Sequence, residues 1–233
     1  MFRYCLFDLD GTLTDPKEGI TKSVQYALRR FGIEEPDPDR LTAFIGPPLK
    51  DSFMEFYGFT EEEAVRAIGF YRERFAPAGM LENVIYPGIK EMLEGLCGQG
   101  MHLAVASSKP EVFVRRILLH FGIEKYFGVV VGSGLDGTRG TKKEVVEEAL
   151  SQFRLFALPE EERKKICAMA GDRKFDIQGA KAHGLTGVGV RFGYAPEGEL
   201  EAAGADYIAD TVEELYRFLS GGRSALVYPA GVK

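Results

Sequence analysis

The feature that most limits what this chain can fold into is a series of short, almost unbroken apolar runs. They are Tyr4 to Leu9, His102 to Ala106, Val129 to Gly132, Cys167 to Ala170 and Thr186 to Val190. Runs of this length without polar alternation belong to strands covered on both faces, as in a parallel sheet. Helical patterns separate most of them. Ile89, Met92, Leu93 and Leu96 recur at helical spacing, as do Val112, Phe113, Arg116, Ile117 and Leu119. A third set is Val145, Val146, Ala149, Leu150 and Phe153. Strand and helix in alternation, joined by right-handed crossovers, give an α/β protein built on a doubly wound parallel sheet.

Residues 17 to 81 break that rhythm and contain no strand-like run. Ile20, Val24, Ala27, Leu28 and Phe31 form one amphipathic stripe, ended by Gly32. Thr60 followed by Glu63 is a capping-box signature that opens a helix carrying Val65, Ile68 and Phe75. Between them, Leu41 to Ile45 and Leu49 to Phe56 are split by "GPP". The stretch is too long for a crossover connection. It reads as an inserted, all-helical cap on residues 17–81, with hinges near Asp15 to Lys17 and Tyr86 to Gly88. The α/β core then comprises residues 1–16 and 82–220, and residues 221–233 form a loosely held tail.

Composition bounds the function classes. A net charge of -6 over 233 residues argues against a broad basic surface for nucleic acid. No apolar run approaches the roughly 20 residues needed to span a bilayer. Cys5, Cys97 and Cys167 are far apart and read as reduced thiols, and with three histidines there is no zinc spacing. The first strand begins by Arg3 or Tyr4, which leaves no room for a signal peptide, so the expectation is a cytoplasmic protein. Oligomeric state stays open, since both the cap and the apolar tail "ALVYPAGV" offer contacts.

The first run ends in "DLDGTLTD", residues 8 to 15. Residues two apart on a strand point the same way, so Asp8 and Asp10 face one volume just beyond the strand end. That edge is where ligands bind in open α/β sheets. Gly11 permits a tight turn and Thr12 offers a hydroxyl. Singly, such residues are ordinary turn and cap formers. Together, three acids in eight residues repel one another unless something positive rewards the arrangement.

This string resembles the opening motif D-x-D-G-T-L-x-D of the haloacid dehalogenase superfamily of hydrolases. The resemblance implies a Rossmann-like core in which Asp8 attacks phosphorus and Asp10 serves as acid and base. An aspartate at the second position sets the chain apart from dehalogenases, phosphonatases and cation-pumping ATPases and favours a phosphatase or phosphomutase. In "VASSKP", Ser107 matches the family's second motif, with Ser108 beside it. In "GTRGTKKE", the spacing to the following helix selects Lys142 over Lys143 as the charge-stabilising lysine, and Arg139 is a further candidate contact. "AMAGDRKFD" matches the pattern G-D-x-x-x-D. By resemblance, Asp8, Asp10 (through its carbonyl), Asp172 and Asp176 form the Mg²⁺ site, Asp176 orienting water or Lys142. The expected substrate contacts are Gly11, Thr12, Ser107, Ser108 and Lys142.

The insertion and its "FIGPPL" string, residues 44 to 49, resemble phosphoglycolate phosphatase and its near relatives. Sugar phosphomutases of that subgroup carry a histidine where this chain has Ile20, which counts against a mutase. The expected function is therefore Mg²⁺-dependent hydrolysis of a small phosphate ester. Alternatives are a 5′-nucleotidase, a phosphotyrosine-type phosphatase, or a non-catalytic binder of phosphorylated ligands.

Overall fold

The protein is described by a computed structural model covering residues 2–222; residues 223–233, the bulk of the expected tail, lie outside the described residues. Strand β1 (Tyr4–Phe7) is followed by a tight turn and the short β2 (Thr14–Asp15). Three helices come next: α1 (Lys17–Arg29), α2 (Leu49–Tyr57) and α3 (Glu61–Phe75). The chain returns through β3 (Val84–Ile85), which pairs antiparallel with β2, Thr14 opposite Ile85. Entry to and exit from the helical insertion are therefore stitched side by side.

Beyond β3, helix and strand alternate. The order is α4 (Ile89–Gly98), β4 (His102–Pro110), α5 (Glu111–Phe121), β5 (Phe127–Ser133), α6 (Lys142–Gln152), α7 (Glu160–Ile166) and β6 (Cys167–Gly171). Then come α8 (Lys174–Ala182), β7 (Thr186–Val190), α9 (Glu199–Ala203), β8 (Tyr207–Ala209) and α10 (Val212–Leu219). Six strands form one parallel sheet in the order β5-β4-β1-β6-β7-β8. This is the doubly wound fold that the alternation predicts. The chain starts mid-sheet, steps outward to β4 and β5, then crosses β1 to lay down β6. Crossovers leave in opposite directions there, which opens a crevice at the carboxyl ends of the strands.

Both faces of the sheet are apolar. Cys5 and Phe7 of β1 join a buried cluster with α4, α5 and the insertion, while Leu6 faces a second cluster with α6. In the insertion, Thr60 caps α3 reciprocally with Glu63: the Glu63 N–H donates to Thr60 Oγ1 (3.3 Å) and the Thr60 N–H to Glu63 Oε2 (2.9 Å). Phe53 stacks on Phe59 (ring centroids 5.7 Å) and meets Phe44 edge-on (5.0 Å). Phe75 reaches out to touch Phe113 of α5 at 5.4 Å, so insertion and core share one apolar layer.

Two features exceed the sequence reading. β8 lies between Asp206 and Asp210 and is too short to show a periodicity. The β2–β3 pair consists of two-residue strands, set by pairing rather than by residue pattern. Among the described residues no helix is long and apolar enough to cross a membrane.

Two helical glycines differ in the room around them. A Cβ on Gly19 of α1 would lie 1.8 Å from the carbonyl oxygen of Gly79, whereas one on Gly98 would meet nothing within 4 Å. Gly19→Ala is expected to destabilise the protein by about 1–3 kcal/mol or more through overpacking. Gly98→Ala should stabilise it by about 0.5–1 kcal/mol through helix propensity. Denaturant unfolding of the two variants beside the wild type measures both signs.

Candidate active site

Asp8 is the first residue beyond β1. Its N–H donates to the Ala170 carbonyl of β6 (2.9 Å), and its carboxylate accepts the Leu9 N–H (2.7 Å). The chain then turns sharply, with the Gly11 N–H donating to the Thr14 carbonyl (2.8 Å). Gly11 has φ +79°, and a Cβ there would stand 2.1 Å from an Asp172 carboxylate oxygen. Only glycine lets the turn come so close to that acid.

Lys142 opens α6. A second capping box fixes that helix start: the Glu144 N–H donates to Thr141 Oγ1 (3.3 Å) and the Thr141 N–H to Glu144 Oε2 (2.9 Å). The "TKKE" spelling is itself a capping-box signature. The ammonium group contacts Asp8 Oδ1 (2.9 Å), Asp176 Oδ1 (2.8 Å) and the Ala106 carbonyl (3.1 Å). The Ala106 carbonyl accepts a hydrogen bond from it, and the two carboxylates are held as ion pairs. Burial alone would lower the Lys142 pKa; Asp176 and Asp8 outweigh it and hold the pKa above the usual lysine value.

Asp172 follows β6, and Asp176 sits in the first turn of α8. Carboxylate oxygens of Asp8, Asp172 and Asp176, all buried, lie within 4.8 Å of one another. Asp172 accepts the Tyr194 N–H (2.8 Å). Burial, and then the charges of Asp176 and Asp8, push the Asp172 pKa well above the ordinary carboxylate value. Burial likewise lifts Asp176 to about 6, against the pull of Lys142.

A second buried cation was not singled out from the sequence. Lys109, two residues after Ser107, forms an ion pair with Asp10. Its ammonium also lies 4.8 Å from the Phe75 ring of the insertion. Burial raises the Asp10 pKa, with Lys109 working against it, and Asp10 Oδ1 is buried without a hydrogen-bond partner. The strand is irregular between Ala106 and Pro110, and Ser107, Ser108 and Lys109 all reach the cavity, so strand alternation gave no signal for Lys109.

Four buried carboxyl groups thus face two ammonium groups, and two negative charges are uncompensated when all four are ionised. Like charges held together out of water are costly unless a counter-charge arrives. An all-oxygen, doubly negative cluster suits a hard divalent cation.

A cavity of about 200 Å³ opens beside this cluster, between the sheet edge and the insertion. Asp8, Asp10, Ser107, Ser108 and Lys109 line it from the core, and Ile20, Phe44, Ile68, Tyr71 and Phe75 from the insertion. Two expected substrate contacts, Gly11 and Thr12, are not on that wall. The Gly11 N–H is spent on Thr14, and the fully buried Thr12 turns its hydroxyl towards Asp172 (3.5 Å). Lys142 is not on that wall either, and contacts Asp8, which is. Arg139 is also engaged, donating to the Gly132 carbonyl (3.2 Å) and pairing with Glu111 (3.4 Å).

Comparison with known proteins bears on this geometry. The family model described as haloacid dehalogenase-like hydrolase matches residues 5–190. A 5′-nucleotidase of Pseudomonas aeruginosa is 50% identical over 197 residues, spanning 84% of this chain and 86% of that protein. A phosphoglycolate phosphatase of Aquifex aeolicus is 32% identical over 200 residues, spanning 82% and 86%. The crystal structure of a predicted phosphatase from Clostridium acetobutylicum superposes with a TM-score of 0.89 at 45% identity, covering 95% of this chain and 99% of that one.

The charge imbalance makes an unusual stability prediction for metal-free protein in EDTA. Asp172→Asn removes an uncompensated negative charge and should raise the unfolding midpoint at pH 8. Lys142→Met strands Asp8 and Asp176 and should cost about 3–5 kcal/mol. Because the folded-state pKa of Asp172 is raised, the wild type loses stability as pH rises through it, and the asparagine variant does not. The gap between the two proteins should therefore narrow as pH falls. Thermal unfolding across pH reads this, and equal midpoints at pH 8 would contradict it.

Proposed function

The chain is a phosphatase of the haloacid dehalogenase-like hydrolases, and we propose that it hydrolyses small phosphate monoesters with magnesium, through a phosphate carried transiently on Asp8. The observation that carries this reading is the buried cluster itself: a nucleophile-grade carboxylate held by Lys142, an acid two residues on, and a doubly negative oxygen site between them. On this reading residues 17–81 act as a cap over a core of residues 1–16 and 82–220.

Asp8 attacks phosphorus as the bond to the leaving oxygen breaks, dividing one hard displacement into two easier ones. Asp10, whose pKa burial raises against the pull of Lys109, gives its proton to that oxygen. Asp10 then takes a proton from the water that attacks the phosphorylated Asp8 and frees phosphate. Ser107, 2% exposed on the cavity floor, donates its hydroxyl to a phosphoryl oxygen. Lys142, paired with Asp8 at 2.9 Å, offsets charge on the phosphoryl group. Asp8, Asp172 and the Asp10 carbonyl would hold the ion, with Asp176 beside them. When bound, it supplies Lewis-acid charge that polarises and aligns the phosphoryl group.

The cavity wall bears on the leaving group. Glycolate would bring a carboxylate, which needs a free cation. Of the cations on the wall, Lys109 is paired with Asp10 and Lys50 with Glu61 (3.2 Å), while Arg72 donates one N–H to the Leu135 carbonyl (3.1 Å) and has no acidic partner among the described residues. What remains is apolar and aromatic, from Ile20, Phe44, Ile68, Tyr71, Phe75 and Phe113. That surface suits the flat base of a nucleoside, which can stack on it as glycolate cannot.

Purified protein with Mg²⁺ should release phosphate from nucleoside 5′-monophosphates faster than from phosphoglycolate, and EDTA should stop both. Asp8→Asn should lower the rate by more than about a thousandfold. Equal rates for Asp8→Asn and wild type would remove Asp8 as nucleophile; a preference for phosphoglycolate would overturn the reading of the wall.

A further inference from the structure

The residue after the metal-site candidate Asp172 is Arg173, and its side chain is spent in an unexpected place. It is 8% exposed. Its guanidinium forks onto Glu199 at the start of α9, Nε to Oε1 at 2.8 Å and Nη2 to Oε2 at 3.3 Å. The third arm, Nη1, donates to the carbonyl of Ile45 in the insertion at 2.6 Å. Glu199 is held from the other side by the Lys174 N–H (2.9 Å). A planar guanidinium gripped by a carboxylate has one orientation. The arm reaching the insertion is therefore fixed in place before the insertion arrives.

The segment it grips is shaped to receive it. Gly46 has φ +102°, and a Cβ there would stand 2.7 Å from Arg173 Cγ. Pro47 and Pro48 follow, stiffening the chain. This segment is a thin wall: Phe44 and Gly46 to Leu49 line the inner cavity, while Thr42, Ala43, Pro47 and Pro48 line an outer cleft whose far side holds Arg173, Phe175 and Tyr194. Arg173 also donates its own N–H to Asp176 Oδ2 (3.0 Å), and Asp176 is the partner of Lys142. One residue thus joins the Gly46–Pro48 wall to Asp176, one member of the acid cluster.

We propose that Arg173, locked by Glu199, is the latch that holds the Gly46–Pro48 wall against the core and so sets which leaving groups the cavity accepts. It is a positioning residue: it acts on substrate through the wall and touches none of the reacting atoms. The proposal rests on the reading of this cavity as the leaving-group site. Loss of the latch frees the wall to swing towards the outer cleft, as lids do when a closing contact is removed.

The test is amide hydrogen exchange, followed by kinetics, on Arg173→Met, Glu199→Gln and the insertion-side variant Gly46→Ala. Each should speed exchange at the Phe44, Ile45, Gly46 and Leu49 amides by about tenfold or more, the effect of losing a charge-assisted hydrogen bond, with β1 and α10 unchanged. KM for a nucleoside monophosphate should rise more than KM for methyl phosphate, which leaves the wall untouched. Unchanged exchange at the wall in all three variants overturns the latch. So does an equal KM change for both esters, which would mark a general structural defect. Should the wild type hydrolyse neither ester, the proposed function fails while the exchange result still judges the latch. Should Arg173→Met not fold, Glu199→Gln and Gly46→Ala decide it.

Discussion

The ammonium of Lys142 is the contact on which the rest of the site depends. It contacts Asp8 from the loop after β1, Asp176 from α8 and the carbonyl of Ala106 from β4. Burying a charge costs several kcal/mol per ion, by order of magnitude, unless its partners are close. Here all three lie within 3.1 Å. Because α6 begins at Lys142 and is capped by Thr141 and Glu144, the ammonium is delivered from a rigid helix start. The sheet order does the remainder: β1 lies between β4 and β6, so the three loops carrying Asp8, Ser107 and Asp172 end within reach of one cation.

That cation is not enough to balance what it gathers. Lys142 and Lys109 offset two carboxylates and leave two when all four are ionised, which is why burial and mutual repulsion raise the pKa values of Asp172 and Asp176. A fold that sustains such a cluster stores unfavourable electrostatic energy at one edge of its sheet. Functional sites are where that kind of energy is held, since the incoming ion or substrate releases it. The helical insertion then matters in a second way. It shares an apolar layer with the core through Phe75 and Phe113, and it closes over the cluster, so charges act there in a drier medium than water.

Much of this was legible in the residues. Unbroken apolar runs mark the five longer strands because strands covered on both faces need no polar alternation. Thr60 and Glu63 mark the start of α3 because capping is local chemistry, and Thr141 and Glu144 mark α6 in the same way. What stayed hidden was settled by distance in space. Lys109 reads as a turn lysine until β4 brings it to Asp10, 99 residues away. Arg173 reads as the variable position of a motif until its arm meets Ile45, 128 residues away. Thr12 reads as a ligand to substrate, yet the tightness of the Gly11 turn aims it at Asp172 instead. The two-residue strands β2 and β3 have no pattern to read and exist because the insertion's ends must meet.

The central claim is that carboxylates from separate ends of the core leave a doubly negative oxygen site that only a divalent cation completes. Anomalous diffraction from crystals grown with Mn²⁺, a scattering substitute for Mg²⁺, tests it most directly. The account predicts one strong peak bonded to the carboxylates of Asp8 and Asp172, with the Lys142 ammonium still on Asp8 and Asp176. No peak at this edge of the sheet, or side chains 8 and 172 turned away from each other, would contradict it.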